Sequence, residues 1–432
     1  MAAKKLYALA FLVFFLVFGV LYFIPVEKEI RGRINKIQLT CLAQLVLSIL
    51  SLYIWRRVKS TSLALSSASF VCSAGAFRGL LVIFFALVHF SFISWDSSYF
   101  TTPKTNPLTN LSFISLGIYI QLIMCLIAID TLFLTLSFFK FSLPTDLKVY
   151  RKYKLLLSVT LALVLGVSGV YNASKPSIVT YQSIPINGLP KSLNNLKIIQ
   201  ICDLHIGPTV GDSRIQETVM AVNRLEPDIV VITGDLVDAS VGQMLPVVQH
   251  LGGMKSKLGV FFVTGNHEYI TGYVDDWFEE LQKIGIQILH NSNVKIKLSP
   301  TDSEYLCLAG TDDIEAKRFR YGDHGMDLDA AVKSCDPKAP VVLLAHQPKA
   351  AKMALDSDYN IQLVLSGHTH GGQMLPMTVI AYFVNPFYAG HYVYKEKNVY
   401  VSQGTMFWGI PMRHFSAAEI SVITLLRSSY IQ

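Results

Sequence analysis

Charge is scarce in this chain. Asp, Glu, Lys and Arg make up 16% of its 432 residues, where a soluble globular protein carries about a quarter. The excess of apolar residues that goes with it lies before about residue 172, so an apolar front precedes a globular back. Paired cysteines are missing too. None of the six stands in C-x-x-C spacing, which removes a zinc ribbon and a dithiol redox motif. Three of them, Cys41, Cys72 and Cys125, fall in the apolar front. Cys202 reads as a buried strand thiol. Cys307 and Cys335 could pair in an oxidising compartment, and their spacing leaves that open. The chain also has no run of six basic residues and no basic stretch interleaved with aromatics. Its net charge of +7 therefore does not argue for nucleic acid as a partner. Internal repeats and low-complexity tracts are absent.

What the front does have is long uncharged runs. Residues 6–24, 39–55, 79–95, 111–139 and 155–171 read as five membrane spans. A cleaved signal peptide is the other reading of 6–24, but its apolar core would be shorter and end in small residues. Residues 62–77, rich in Ser and Ala, either extend the third span or lie at the interface. As a separate span they would reverse the topology. Asp130 and Arg78 are costly in lipid and should meet a partner or the interface. Eleven basic residues flank one side of the five spans and five flank the other. The positive-inside rule then puts the N-terminus in the cytoplasm and the large C-terminal domain on the non-cytosolic side. The sequons at Asn110 and Asn172 fall on that same side. The bilayer is thus an expected partner, and the domains are expected at 1–172 (multi-span) and 176–432 (globular).

From about Pro176, short β-rich runs alternate with helical segments, as in an α/β layered domain. Helices are expected over 214–225, 275–284, 328–334 and 349–355. Five apolar runs each end in a metal-binding residue type. They precede Asp203-Leu204-His205, Gly234-Asp235, Gly265-Asn266-His267-Glu268, His346, and Gly367-His368-Thr369-His370. Taken together they place seven potential ligands along one edge of one sheet. Asp, Asn and His at the carboxyl ends of buried strands are the material of a two-metal hydrolytic site. Each motif alone has an ordinary structural explanation: a turn for Gly-Asp, a core histidine for His346. Five in order, each after a strand, do not. Mixed oxygen and nitrogen ligands suit Mn, Fe, Zn or Co, with Mg also possible.

The order of these motifs resembles the calcineurin-like metallophosphoesterases. D-x-H falls at Asp203 and His205, G-D-x-x-D at Gly234, Asp235 and Asp238, and G-N-H-E at Gly265 to Glu268. The single His is His346, and G-H-x-H is Gly367 to His370. The flanks His346-Gln347-Pro348 and Gly371-Gly372-Gln373 are similar to those of membrane-associated bacterial phosphodiesterases in that family. The resemblance implies a layered β-sandwich flanked by helices, behind a multi-pass α-helical membrane region. It implies two divalent cations, one held by Asp203, His205 and His370, the other by Asn266, His346 and His368, with Asp235 between them. It makes His267 the group that protonates the leaving group or stabilises the charged phosphoryl oxygens and Asp238 the residue that orients it, and leaves Glu268 between a catalytic and a structural part. Ala239 stands where many relatives, the protein phosphatases above all, have Arg. That departure speaks against a protein phosphatase and leaves the metal set whole.

The expected activity is hydrolysis of a phosphoester, phosphodiester or pyrophosphate bond by a membrane-tethered enzyme, a lipid-linked phosphate being one candidate substrate. Tyr382, Phe383, Phe387, Tyr388, Phe407 and Trp408 would either rim the site or pack in the core. The competing class is a non-catalytic multispan scaffold or transporter whose globular domain has lost its activity. All seven ligand positions and the proton donor are filled, which argues against decay.

Overall fold

The computed structural model describes residues 28–62, 68–97, 99–139 and 147–428, together with Gly19. The expected span at 6–24 lies outside the described residues. Four long helices come first: α1 (Lys28–Ser62), α2 (Ala68–Asp96), α3 (Pro107–Phe138) and α4 (Leu147–Ser174). Each contains a stretch long and apolar enough to cross a membrane: Arg33–Thr61, Gly75–Trp95, Pro107–Phe138 and Val149–Ser174. These match the four remaining expected spans and mostly exceed them, because a helix continues through the interface after its apolar run stops. Residues 68–77 belong to α2, so they extend that span and do not form a separate one. Asp130 of α3 does find partners. It pairs with Arg57 of α1, one of whose bonds is 2.7 Å long, and with Lys154 of α4.

The globular domain contains twelve strands among the described residues. In chain order they are β1 (Ile178–Ile186), β2 (Leu196–Ile201), β3 (Ile229–Thr233), β4 (Val260–Val263), β5 (Ile286–Ile288) and β6 (Ser292–Ile296). Then come β7 (Leu306–Gly310), β8 (Val341–Leu344), β9 (Ile361–Ser366), β10 (Gly390–Tyr394), β11 (Lys397–Val401) and β12 (Glu419–Arg427). The helices between them are α5 (Asp212–Arg224), α6 (Val241–Val248), α7 (Asn266–Thr271), α8 (Val274–Lys283), α9 (Ala316–Phe319), α10 (Leu328–Val332), α11 (Pro348–Leu355) and α12 (Met377–Val384). The four helices expected in this domain correspond to α5, α8, α10 and α11.

The strands form two six-stranded sheets, ordered β1-β12-β2-β3-β4-β5 and β10-β11-β9-β8-β7-β6. This corrects the expectation of a single sheet. The ligand-bearing strands β2, β3 and β4 lie in the first sheet, and β8 and β9 in the second. A strand buried on both faces is apolar along its whole length, so its sequence does not say which sheet it joins. One core fills the space between the sheets: Ile198, Val231 and Phe261 from one side, Val342, Leu344 and Leu363 from the other. The outer faces are covered by helices. Val219 and Val222 of α5, Met244 of α6 and Trp277 of α8 pack on the first sheet. Ala350, Ala351 and Ala354 of α11 pack on the second. Because the sheets face each other, the carboxyl ends of β2, β3, β4, β8 and β9 converge on one place.

The domain is seated on the helix bundle. Gln121 of α3 donates to the Leu375 carbonyl at 2.7 Å, and His414 donates to the Leu165 carbonyl of α4 at 2.7 Å. Ile270 and Ile410 join the apolar core of the bundle. Cys307 and Cys335 form a disulfide, with 6.0 Å between their Cα atoms, which answers the pairing the spacing had left open.

Candidate metal centre

The candidate ligand residues are held in unusual backbone. Asp203, His205, Asp235, His368 and His370 all have positive φ, between 44° and 69°. Left-handed backbone at a residue other than Gly costs on the order of 1–3 kcal/mol and persists only where the surroundings impose it. Here it turns each chain sharply off its strand, so that side chains point across the sheet ends. Gly234 (φ +88°) permits a close approach: a Cβ there would lie 2.5 Å from His346 Nδ1 and 2.8 Å from the Gly265 backbone.

Two triads result. The donor atoms of Asp203, His205 and His370 lie within 4.8 Å of one another, and so do those of Asp235, His346 and His368. Asp235 stands between them, its Oδ2 3.2 Å from His346 Nε2 and 3.8 Å from His205 Nε2. Its other oxygen accepts the His267 backbone N–H at 2.8 Å. All these groups but His368 are buried.

The donor set fits two divalent cations. His205 Nε2 and His370 Nε2 are 3.0 Å apart, and His368 Nδ1 and His346 Nε2 are 3.2 Å apart. In each couple two ring nitrogens turn towards one point, as the ligands of a shared cation do. Asn266 Oδ1 is buried with no hydrogen-bond partner, and so is His370 Nδ1. An orphaned buried carbonyl oxygen is costly unless something electropositive meets it. The ligand tautomers are set from behind, as metal histidines require. His346 Nδ1 donates to the Thr233 carbonyl at 2.8 Å, and His205 Nδ1 to Asp238 at 3.1 Å. Burial first, then His346, lowers His368 to about 3, and burial with His205 holds His370 well below its usual value. Both keep lone pairs at neutral pH.

His267 adjoins the first triad, its donor atom within 4.8 Å of those of His205 and Asp238. Its Nδ1 donates to Asp238 Oδ1 at 2.8 Å. Burial would lower this imidazole, but the Asp238 and Asp235 charges outweigh it and raise it to about 9. Burial also opposes the Asp238 charge, yet His205 and His267 hold that carboxyl well below the usual range. Glu268 has a structural part. Its Oε1 accepts from Leu236 N (2.7 Å) and Val237 N (3.3 Å), its Oε2 from Asp235 N (3.1 Å) and Gly265 N (2.6 Å). It therefore ties the turn after β3 to the turn after β4.

Of the aromatic candidates, Trp408 is at the site, its ring 5.2 Å from that of His267 and 6.4 Å from that of His205. Phe387 and Phe407 are core residues. Tyr388 donates its hydroxyl to the Gly371 carbonyl beside His370. Tyr382 and Phe383 are exposed on α12. Two residues at the site carry roles that the motifs do not announce. Gln373 accepts from Trp408 N at 2.8 Å and donates to the Ile410 carbonyl at 2.9 Å, which fixes the Trp408 loop. Arg413, fully buried, donates to the His370 carbonyl at 3.2 Å and the Gln403 carbonyl at 2.9 Å. Gln373 follows directly on the last ligand motif, which is a signal for it. Arg413, 43 residues beyond His370, has none.

The calcineurin-like phosphoesterase family model matches residues 196–372, the stretch from β2 through the last ligand turn. The chain is 41% identical over 405 residues to the transmembrane protein with metallophosphoesterase domain of Danio rerio, covering 93% of this chain and 92% of that one. It is 40% identical over 399 residues to the protein of that name in Bos taurus, covering 90% and 89%. An uncharacterized metallophosphoesterase of Helicobacter pylori is 35% identical over 239 residues, 55% of this chain and 62% of that one. The chain belongs to the calcineurin-like phosphoesterases. It is a membrane protein of that family, with four apolar helices among its described residues and relatives named as transmembrane proteins. A further cluster, His290, Asp312 and His324, also has donor atoms within 4.8 Å. There Asp312 already accepts from His290 (2.7 Å) and Gly325 N (3.1 Å), as a structural carboxylate does.

Proposed function

We propose that the chain is a membrane-anchored hydrolase of phosphoester, phosphodiester or pyrophosphate bonds that depends on two divalent cations. The observation that carries this reading is the pairing of the Asp203, His205 and His370 triad with the Asp235, His346 and His368 triad, together with a buried Asn266 oxygen that has no hydrogen-bond partner. Asp203, His205 and His370 would hold one cation, Asn266, His346 and His368 the other, and Asp235 both. Bound there, the pair supplies Lewis-acid polarisation of the phosphoryl group and lowers the pKa of water. The chain's own groups do the rest. His267, kept protonated by Asp238, would give its proton to the leaving oxygen as the old P–O bond breaks, while the water that bonds to phosphorus releases a proton to solvent, from which His267 is recharged. Trp408 packs against the His267 ring, their centroids 5.2 Å apart. The test uses the full chain in detergent, stripped and reloaded with Mn, Fe, Zn, Co or Mg. Two bound ions and turnover of a generic mono- or diester are expected. No bound ions and no turnover with any metal would point to the scaffold or transporter class.

The same reading puts the catalytic domain on the non-cytosolic side. Arg56, Arg57 and Lys59 of α1 and Arg151, Lys152 and Lys154 of α4 lie at the bundle end away from the domain, and Arg33, Lys36 and Lys104 lie at the near end. More basic charge at the far end makes that end cytosolic. The Cys307–Cys335 disulfide agrees with an oxidising compartment. Thiol mapping of freshly isolated membranes tests this: the pair should resist alkylation until reduced, and an accessible pair in intact cytosol-facing vesicles would reverse the orientation.

A further inference from the structure

Between the last ligand turn, His370–Gly372, and strand β10 the chain makes an excursion that contains α12. Seven of the eight residues of α12 are apolar, Thr378 being the exception, and none of the eight is buried. Phe383 is 79% exposed, and Phe415, on the neighbouring loop, 82%. An apolar helix left bare in water is unfavourable, so something covers it.

The helix bundle says what. Gln121 of α3 bonds to Leu375, two residues before α12. Gln121 lies nine residues along α3 from Asp130, a rise of about 14 Å. Asp130, with Arg57 and Lys154, marks the basic end of the bundle. Measured instead from Phe138, the last residue of α3, the rise is about 26 Å. Both are less than the roughly 30 Å of a bilayer's hydrocarbon core. The second contact agrees: His414 meets Leu165, eleven residues along α4 from Lys154, about 16 Å of rise. Past that level α4 still presents Val167 and Tyr171 outward, 69% and 65% exposed. The loops that carry α12 and Phe415 therefore sit at the depth of the leaflet that the helices cross.

This excursion is tied to the last ligand turn at its two ends, while Ile380 and Phe383 in its middle stay exposed. A Cβ at Gly372 would lie 2.2 Å from Thr378 Cα, so the start of α12 packs directly on the ligand turn. Thr369 donates to the Tyr388 carbonyl at 2.8 Å, which ties the far end of the excursion to the same turn.

We infer that α12 and the Phe415 loop are immersed in the leaflet, and that the metal centre accordingly acts on phosphoesters of lipids that remain in the bilayer. The occupant of the apolar face is the acyl region of that leaflet. A lipid beside α12 has its phosphate near the level of the His370 turn without leaving the membrane. The substrate half of this inference rests on the phosphoesterase reading; the immersion half does not.

Two measurements test it on the full chain reconstituted in phosphatidylcholine vesicles. In the first, the vesicles contain a phospholipid with a photoreactive group in its acyl chain, and adducts are mapped by mass spectrometry. Adducts on residues 377–384 are expected; adducts on α4 around Val167 with none on α12 would overturn immersion. In the second, Ile380→Glu with Phe383→Glu is compared with the parent on two substrates: bis(4-nitrophenyl) phosphate in solution, and phosphatidic acid with a head-group-labelled phosphatidylethanolamine in the vesicles. Charge placed in the leaflet should lower turnover of the vesicle substrates by about tenfold or more and change that of the soluble ester by less than about twofold. Equal loss on both, or no loss on either, would overturn the lipid assignment. A chain that turns over neither substrate overturns the phosphoesterase reading and the lipid substrate with it, while the acyl-chain adducts still decide immersion.

Discussion

His267 Nδ1 donates to Asp238 Oδ1 across 2.8 Å, and the same carboxylate takes His205 Nδ1 at 3.1 Å. One buried acid thus serves a candidate proton donor and a candidate metal ligand together. Asp238→Asn keeps the shape and removes the charge. His267 then loses the largest of the influences that hold its proton, while burial continues to oppose it. Turnover should fall about 100-fold, and cation affinity by about tenfold through His205. Metal content by elemental analysis, with turnover at saturating metal, separates the two effects. Full activity at saturating metal would mean that Asp238 acts on the metal site alone.

Asp235 stands within reach of a histidine of each triad, 3.2 Å from His346 and 3.8 Å from His205. In Asp235→Asn the bridging charge is gone, and turnover at matched metal loading should fall by about 10²–10³-fold. Retention of wild-type turnover at equal loading would remove Asp235 from the bridging position.

Much of this centre is legible in the sequence because each ligand sits just past an apolar run, and the ends of buried strands are where α/β folds expose side chains. Asp203, Asp235, Asn266, His346 and His368 can all be found that way. The division of their strands between two sheets cannot, since IVVIT and VVLLA are equally apolar and equally buried. Arg413 is invisible for another reason. Its role depends on carbonyls of His370 and Gln403, brought to it only by the tertiary fold. Helix α12 escapes notice because MTVIAYFV has no polar face, so nothing in its periodicity separates it from a buried strand.

Glu268 gives a stability prediction. Its two oxygens take four backbone N–H groups, at Asp235, Leu236, Val237 and Gly265. Glu268→Gln sets an amide nitrogen against two of those donors, leaving them buried and unpaired. The cost should be about 1–3 kcal/mol, read as a lower thermal midpoint of the metal-free chain in detergent. A catalytic Glu268 would instead lose turnover with an unchanged midpoint.

The charge on His267 should show in the pH dependence of the metal-free chain, where no bound cation competes with Asp238 and Asp235 for the field. Burial lowers the imidazole, those carboxylates outweigh it, and the folded value is about 9; the unfolded value is about 6.5. Between these values the folded state holds the proton that the unfolded state has released, so stability falls as pH rises. The contribution is complete below about 6.5 and is lost as pH passes about 9. His267→Gln has no such proton. Its thermal midpoint, followed from about pH 6 to pH 10, should decline less steeply than that of the wild type, with the two curves drawing together at the alkaline end. Parallel curves over the whole range would show that His267 is neutral in the folded chain. The proton for the leaving oxygen would then have to come from elsewhere.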